Sequence, residues 1–239
     1  MVRTQGAVWD VLSTWAGRSR RGVIFDFNGT LSDDEPILLE VFTEIFADRL
    51  GYDLTPAEYD ERLRGRSDRE IVEMVVSRSV PDRAVLVEEL LALRARGYAA
   101  RVAEASPVRP GTVALVQRLA RSGVPMAIVT GAQRPDVAHV LAHSPVGAHL
   151  SVVVSEEDVS RGKPDPEGFH LGAARLGLDP GGVLVFEDSV PGVTGALAAG
   201  MSCVVVSPDR PTPELAAVAP ALVPSLDPAL LDSLVGLSP

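Results

Sequence analysis

The chain has 239 residues, 46% of them hydrophobic and 23% charged, which suits one large domain or a domain with a small insert and excludes a disordered chain. A net charge of −10 disfavours nucleic acid and an anionic membrane surface as main partners. One cysteine, Cys203, rules out a disulfide framework; with no bilayer-length apolar stretch and no apolar signal segment, the expectation is a soluble cytoplasmic protein.

Residues 1–20 precede the first strand as an N-terminal extension. Val8, Trp9, Leu12 and Trp15 recur at helical spacing, which predicts a short amphipathic helix, either docked on the body or frayed, rather than a partner-binding segment. Val23–Phe25 is apolar on both faces, as a central strand of a covered parallel sheet would be. It ends in Asp26, followed by a turn containing Gly29 and the hydroxyl of Thr30. The next helix opens near Ser32–Pro36, with Asp34 or Ser32 as cap. Ile37, Val41 and Ile45 with Leu38, Phe42 and Phe46 give its buried stripe. Further helices are predicted at Pro56–Leu63, Asp68–Ser77 and Arg83–Arg96. No strand appears before about Ala105, so residues 36–106 read as a helical insert between 21–35 and 107–239.

From Gly111 the pattern alternates again. Helices are expected at Thr112–Ser122, Arg134–Ala142, Pro166–Leu176 and Val190–Ala199. Strands are expected at Met126–Val129, Val152–Val154, Val183–Phe186 and Ser202–Val206, the last with Cys203 as a small core residue. A weak strand near Ala221–Val223 and a helix at Pro228–Val235 finish the chain. Such βαβα alternation puts the polar strand ends, Asp26, Thr130-Gly131, Ser155–Asp158 and Glu187-Asp188, on one edge of one sheet. Ligands bind at that edge in folds of this kind.

Four pieces in this order, Asp26-Phe-Asn-Gly-Thr30, Val129-Thr130-Gly131, Lys163-Pro-Asp165 and Glu187-Asp188-Ser-Val-Pro-Gly192, resemble the haloacid dehalogenase-like hydrolases. The branch is that of β-phosphoglucomutase and phosphoglycolate phosphatase. The resemblance covers the chain after residue 20. It implies a Rossmann-like three-layer α/β/α fold with a parallel sheet, and a small helical cap domain at 36–106 that closes over the catalytic edge. It also implies a Mg2+-dependent phosphohydrolase acting on a small phosphorylated metabolite, as monomer or homodimer.

In that resemblance Asp26 is the nucleophile that becomes an aspartyl-phosphate, which divides one difficult step into two easier ones. Asp26, Asp188 and the backbone carbonyl of Asn28 hold Mg2+, a hard ion suited by oxygen ligands, and Glu187 helps hold its waters. Thr130 and Gly131 meet the phosphoryl group with a hydroxyl and a backbone N–H. Lys163 is the only lysine among 22 basic residues, a compact cation kept in an arginine-rich chain to offset Asp26 and phosphate. Arg64 and Arg66 either contact the distal part of a substrate or belong to a solvated turn. His139 and His143, four apart on a helix, read as surface residues.

One departure is chemical. Asn28 stands where the family's phosphatases usually carry a second Asp that serves as acid and base. Asn keeps the shape but transfers no proton at neutral pH. A weakly active or non-catalytic phospho-ligand binder therefore stays open as an alternative. A sugar phosphomutase also stays open, although Leu38 stands where those mutases carry His.

Overall fold

The structure, a computed structural model, describes residues 2–63, 66–79, 84–232 and 234. Two compact units are present, one of Met1–Asp33 with Val108–Pro239 and one of Asp34–Pro107.

In the first unit, six strands among the described residues form one sheet in the order β3-β2-β1-β4-β5-β6. They are β1 (Gly22–Phe25), β2 (Met126–Val129), β3 (Val152–Val154), β4 (Val183–Glu187), β5 (Ser202–Val206) and β6 (Leu222–Val223), and every pairing is parallel. This is an α/β Rossmann-like arrangement. β1 and β4 are buried along their whole length, which explains why they read as unbroken apolar runs rather than alternating ones.

The helices of this unit are α1 (Val2–Ala16), α6 (Pro110–Arg121), α7 (Arg134–Ala142), α8 (Glu167–Leu176), α9 (Val190–Ala198) and α10 (Pro213–Val218). On one sheet face Ile24, Val129, Val185 and Cys203 pack with Phe169 and Ala173 of α8 and with Val193 and Ala196 of α9. Side chains alternate along a strand, so Phe25 and Phe186 face the other way, where their rings stack 5.5 Å apart. α1 lies against β4, β5 and β6 with Leu12 and Trp15 buried, and the Trp15 indole N–H donates to the Gly22 carbonyl at 3.0 Å.

The second unit contains α2 (Glu35–Leu50), α3 (Pro56–Glu58), α4 (Asp68–Ser79) and α5 (Ala84–Glu104). Leu38, Val41, Phe42 and Phe46 are buried on α2, while Ile37 and Ile45 are half-buried. Asp34 takes the N-cap position of α2 but does not cap. Its Oδ2 accepts from the Tyr98 hydroxyl at 2.7 Å instead. The Arg94 guanidinium lies 4.7 Å from the Tyr98 ring centroid and pairs with Asp68 at 3.0 Å.

Several local expectations need correction. α5 does not stop at Arg96 but runs on through Gly97, where a Cβ would lie 3.1 Å from Val41 of α2. The glycine marks close helix contact there, not a helix end. The segment Pro56–Leu63 is only one turn of α-helix, after which Tyr59–Leu63 widens into a π-turn that buries Tyr59 and Leu63. Pro228–Leu231 is a 3₁₀ turn rather than a full helix. α10 forms where the sequence reading places no element, although Thr212 accepting from the Leu215 N–H ahead of a Pro is an ordinary start signal. No described helix is long and apolar enough to cross a membrane.

Candidate active site

The strand order reverses direction at β1: β2 and β3 lie to one side of it, β4 to β6 to the other. In open α/β sheets ligands bind beyond the carboxyl ends of the strands at such a reversal, which here is the edge of β1 and β4. Asp26 comes directly after β1, and its N–H still donates to Phe186 O at 2.9 Å, so the ladder carries the residue to the edge. Glu187 ends β4 and Asp188 follows it.

The loop after Asp26 is closed by its own backbone. Leu31 and Ser32 N–H both donate to Phe27 O at 2.9 Å, and Gly29 N–H donates to Ser32 O at 2.8 Å. Gly29 has φ 77°, a left-handed conformation natural to glycine, and a Cβ there would sit 2.1 Å from Asp188 Oδ2. The bare glycine is what lets this loop lie against Asp188. Thr30 reaches the same carboxylate, its hydroxyl 3.4 Å from Asp188 Oδ1. Asn28 is half-buried, and its backbone pairs with Ser32.

Asp26, Glu187 and Asp188 bring carboxylate oxygens within 4.8 Å of one another. The Lys163 ammonium joins them, donating to Asp26 Oδ1 and to Glu187 Oε1 at 2.5 Å. Glu187 is fully buried and its other oxygen is also engaged. Oε2 accepts from the N–H groups of Asp188 and Ser189, both at 2.8 Å, and from the Ser189 hydroxyl at 2.9 Å. Ser189 additionally accepts from Gly192 N–H at 3.1 Å, which caps α9. A Cβ at Gly192 would lie 1.6 Å from Glu187 Oε1, so α9 begins against the carboxylate itself. Ser189 and Gly192 belong to the quoted motif, but their part in holding Glu187 is visible only in three dimensions.

Burial pushes Asp26 up to about 7; Lys163 opposes that rise and Glu187 adds to it. Asp188 is raised well above the carboxylate range, first by burial and then by Asp26 and Glu187. Burial alone would lower Lys163, but Asp26 and Glu187 outweigh it and hold the ammonium above its ordinary value. Three carboxyl groups this close, facing one ammonium, oppose one another's ionisation, and a further cation would favour their charged forms.

Thr130 follows β2 at the same edge, its N–H donating to Val154 O and its hydroxyl accepting from Ala132 N–H at 3.0 Å. Gly131 is exposed next to it. Arg66 belongs to the second unit, where its Nε donates to Arg62 O at 2.8 Å, and Arg64 lies outside the described residues. His139 and His143 are exposed, with His143 Nδ1 2.8 Å from His139 O.

A family profile described as haloacid dehalogenase-like hydrolase matches residues 21–200. Hexitol phosphatase A of Escherichia coli is 33% identical over 82% of this chain and 87% of its own length. Validoxylamine A 7'-phosphate phosphatase of Streptomyces hygroscopicus is 31% identical over 76% of this chain and 83% of its own. The crystal structure of CbbY from Rhodobacter sphaeroides in complex with phosphate superposes with a TM-score of 0.77 at 27% identity, covering 91% of this chain and 99% of that one.

Proposed function

The chain belongs to the haloacid dehalogenase-like hydrolase family, and from that premise we propose that it is a Mg2+-dependent phosphatase of a small phosphorylated metabolite, with Asp26 as nucleophile. The observation that carries this reading is the buried cluster of Asp26, Glu187 and Asp188 gathered on Lys163. Two relatives named as phosphatases of small phosphorylated compounds support the substrate class.

The donor set fits Mg2+: hard carboxyl oxygens, close together and largely buried, more numerous than the one ammonium beside them can balance when ionised. Asp26 and Asp188 would hold the ion, with the Asn28 backbone carbonyl as the further ligand the resemblance implies and Glu187 beside them. When bound, the ion supplies the positive charge that lets an anionic carboxylate approach an anionic phosphoryl group.

The chain's own residues do the rest. A carboxylate oxygen of Asp26 attacks phosphorus, the bond from phosphorus to the leaving oxygen breaks, and that oxygen takes up a proton from solvent water. Water then attacks the aspartyl-phosphate, releasing inorganic phosphate and restoring the carboxylate. Lys163 orients Asp26 and offsets the phosphoryl charge. Thr130, whose hydroxyl oxygen already accepts one hydrogen bond, keeps its proton to donate to the transferring group. Residues 36–106 take the place of the family's cap, which includes Arg66.

Asn28 has no proton to give the leaving group, so turnover should favour substrates whose leaving oxygen needs none. A panel of alkyl, aryl and acyl phosphates with Mg2+ tests the reading, using release of inorganic phosphate as the signal. Asp26→Asn should abolish release while keeping the melting temperature. Release that persists in that variant removes the covalent mechanism, and isomer formation without net release identifies a mutase.

A further inference from the structure

We propose that Phe169 is a positioning residue for Lys163: the face of its ring seats the ammonium that Asp26 and Glu187 share. The proposal rests on the phosphatase reading for its role in turnover, and on the geometry alone for the seat.

Phe169 is fully buried on α8, and its ring centroid lies 5.4 Å from Lys163 Nζ. That is within the distance at which the negative face of an aromatic ring attracts a cation. Lys163 needs such a seat, because its ammonium rides on a flexible four-carbon stem. Carboxylate partners fix it only by using its N–H donors, and it has three. Asp26 and Glu187 take two of them. An aromatic face attracts the charge without taking a donor, which leaves the third for an oxygen of the phosphoryl group.

The ring is itself held in place. It packs among Ile24, Val185 and Val193 on the sheet face. From α9, Gly195 approaches so closely that a Cβ there would meet Phe169 Cε2 at 3.0 Å and Pro164 O at 3.1 Å. The absent side chain at Gly195 therefore lets α9 press the ring under the lysine. Leucine at 169 would fill much of the same space without a negative face to offer.

The test replaces Phe169 site-specifically with phenylalanines bearing one, two and three fluorines, which weaken the ring's negative face with little change of shape. Initial rates of aryl phosphate hydrolysis are measured with Mg2+. We expect kcat to fall stepwise with fluorine number, by about twofold to thirtyfold in total, with KM and melting temperature nearly constant. Phe169→Tyr should stay close to the parent and Phe169→Leu should fall. Equal turnover across the fluorinated series overturns the proposal.

A second readout needs no activity. Because Lys163 is the only lysine, 13C-lysine labelling gives a single ε-methylene signal. It should be displaced by the Phe169 ring current, retain that displacement in Phe169→Tyr and lose it in folded Phe169→Leu. If the parent released no phosphate, the phosphatase reading would fail while this signal still decided the seat. An undisplaced signal in the parent overturns it.

Discussion

At the scale of single residues, Asn28 and Gly29 are the positions at which the proposed phosphatase reading is to be tested. A proton donor at position 28 would assist departure of an alkoxide, and such general acid–base help is worth roughly 10²–10⁴ in rate. Asn28→Asp should therefore raise kcat/KM on an alkyl phosphate by something approaching that factor, and by less on an aryl phosphate that leaves without assistance. Comparing kcat/KM for both substrates in both proteins checks it, since that ratio reports transition-state stabilisation. No gain on any alkyl phosphate, in a parent already fast on them, means another acid does the work. Gly29 makes a second point. Alanine there is strained at φ 77° and drives a methyl into the Asp188 carboxylate. Gly29→Ala should weaken Mg2+ binding measured by calorimetry more than tenfold; an unchanged affinity would separate this loop from the ion.

Among the elements, two packing contacts decide more than helix propensity does. α5 runs through Gly97, where α2 comes so close that a Cβ would touch Val41 at 3.1 Å. Gly97→Leu forces extra volume into that seam and should cost about 1–3 kcal/mol in chemical denaturation, despite leucine being the better helix former. If Gly97→Leu stabilises the protein, the seam is looser than it looks. On the other unit, α1 is anchored by Trp15, buried and bonded to Gly22 O at the start of β1. Trp15→Ala should cost roughly 3–5 kcal/mol, the usual penalty for emptying a large aromatic site. A variant as stable as the parent would show α1 to be dispensable.

For the molecule as a whole, stability should carry a signature of Asp34. Burial raises this carboxyl to about 7, with the Tyr98 hydrogen bond acting against the shift. Between its usual value of 3.8 and about 7 the folded chain keeps a proton that the unfolded chain releases. Asp34 therefore costs nothing below that window, and its cost grows as pH rises through it. Above about 7 the penalty is complete, at about 1.4 kcal/mol for each unit of separation. Asp34→Asn keeps the acceptor for Tyr98 and removes the charge. The variant should match the parent near about pH 4 and exceed it in melting temperature near about pH 8. Asp26 and Asp188 titrate alike in both proteins, so the difference isolates Asp34. Parallel melting curves across that range would sink the assignment.

Consecutive residues alone were enough to read the alternation of strands and helices and to mark the candidate polar residues at the strand ends. Runs such as Val23–Phe25 and Val183–Phe186 declare buried parallel strands through apolarity on both faces. The carboxylates and Thr130 stand at the ends of such runs, where a parallel sheet gathers polar residues, and Lys163 stands out as the only lysine, in the loop between β3 and α8. These are local properties, written in consecutive residues. Tertiary structure decided what depends on close approach between distant segments. Gly97 looks like a helix end until Val41 is brought against it, Gly29 looks like a turn glycine until Asp188 arrives at its Cα, and Gly192 and Gly195 look like weak points of a helix until Glu187 and Phe169 arrive at theirs. Asp34 is a sound N-cap by its sequence position, yet a tyrosine 64 residues later takes its carboxylate. Periodicity carries no information about which atoms meet across such separations. The apolar burial that folds the chain settles it, and that burial also holds Lys163 between Asp26 and Glu187.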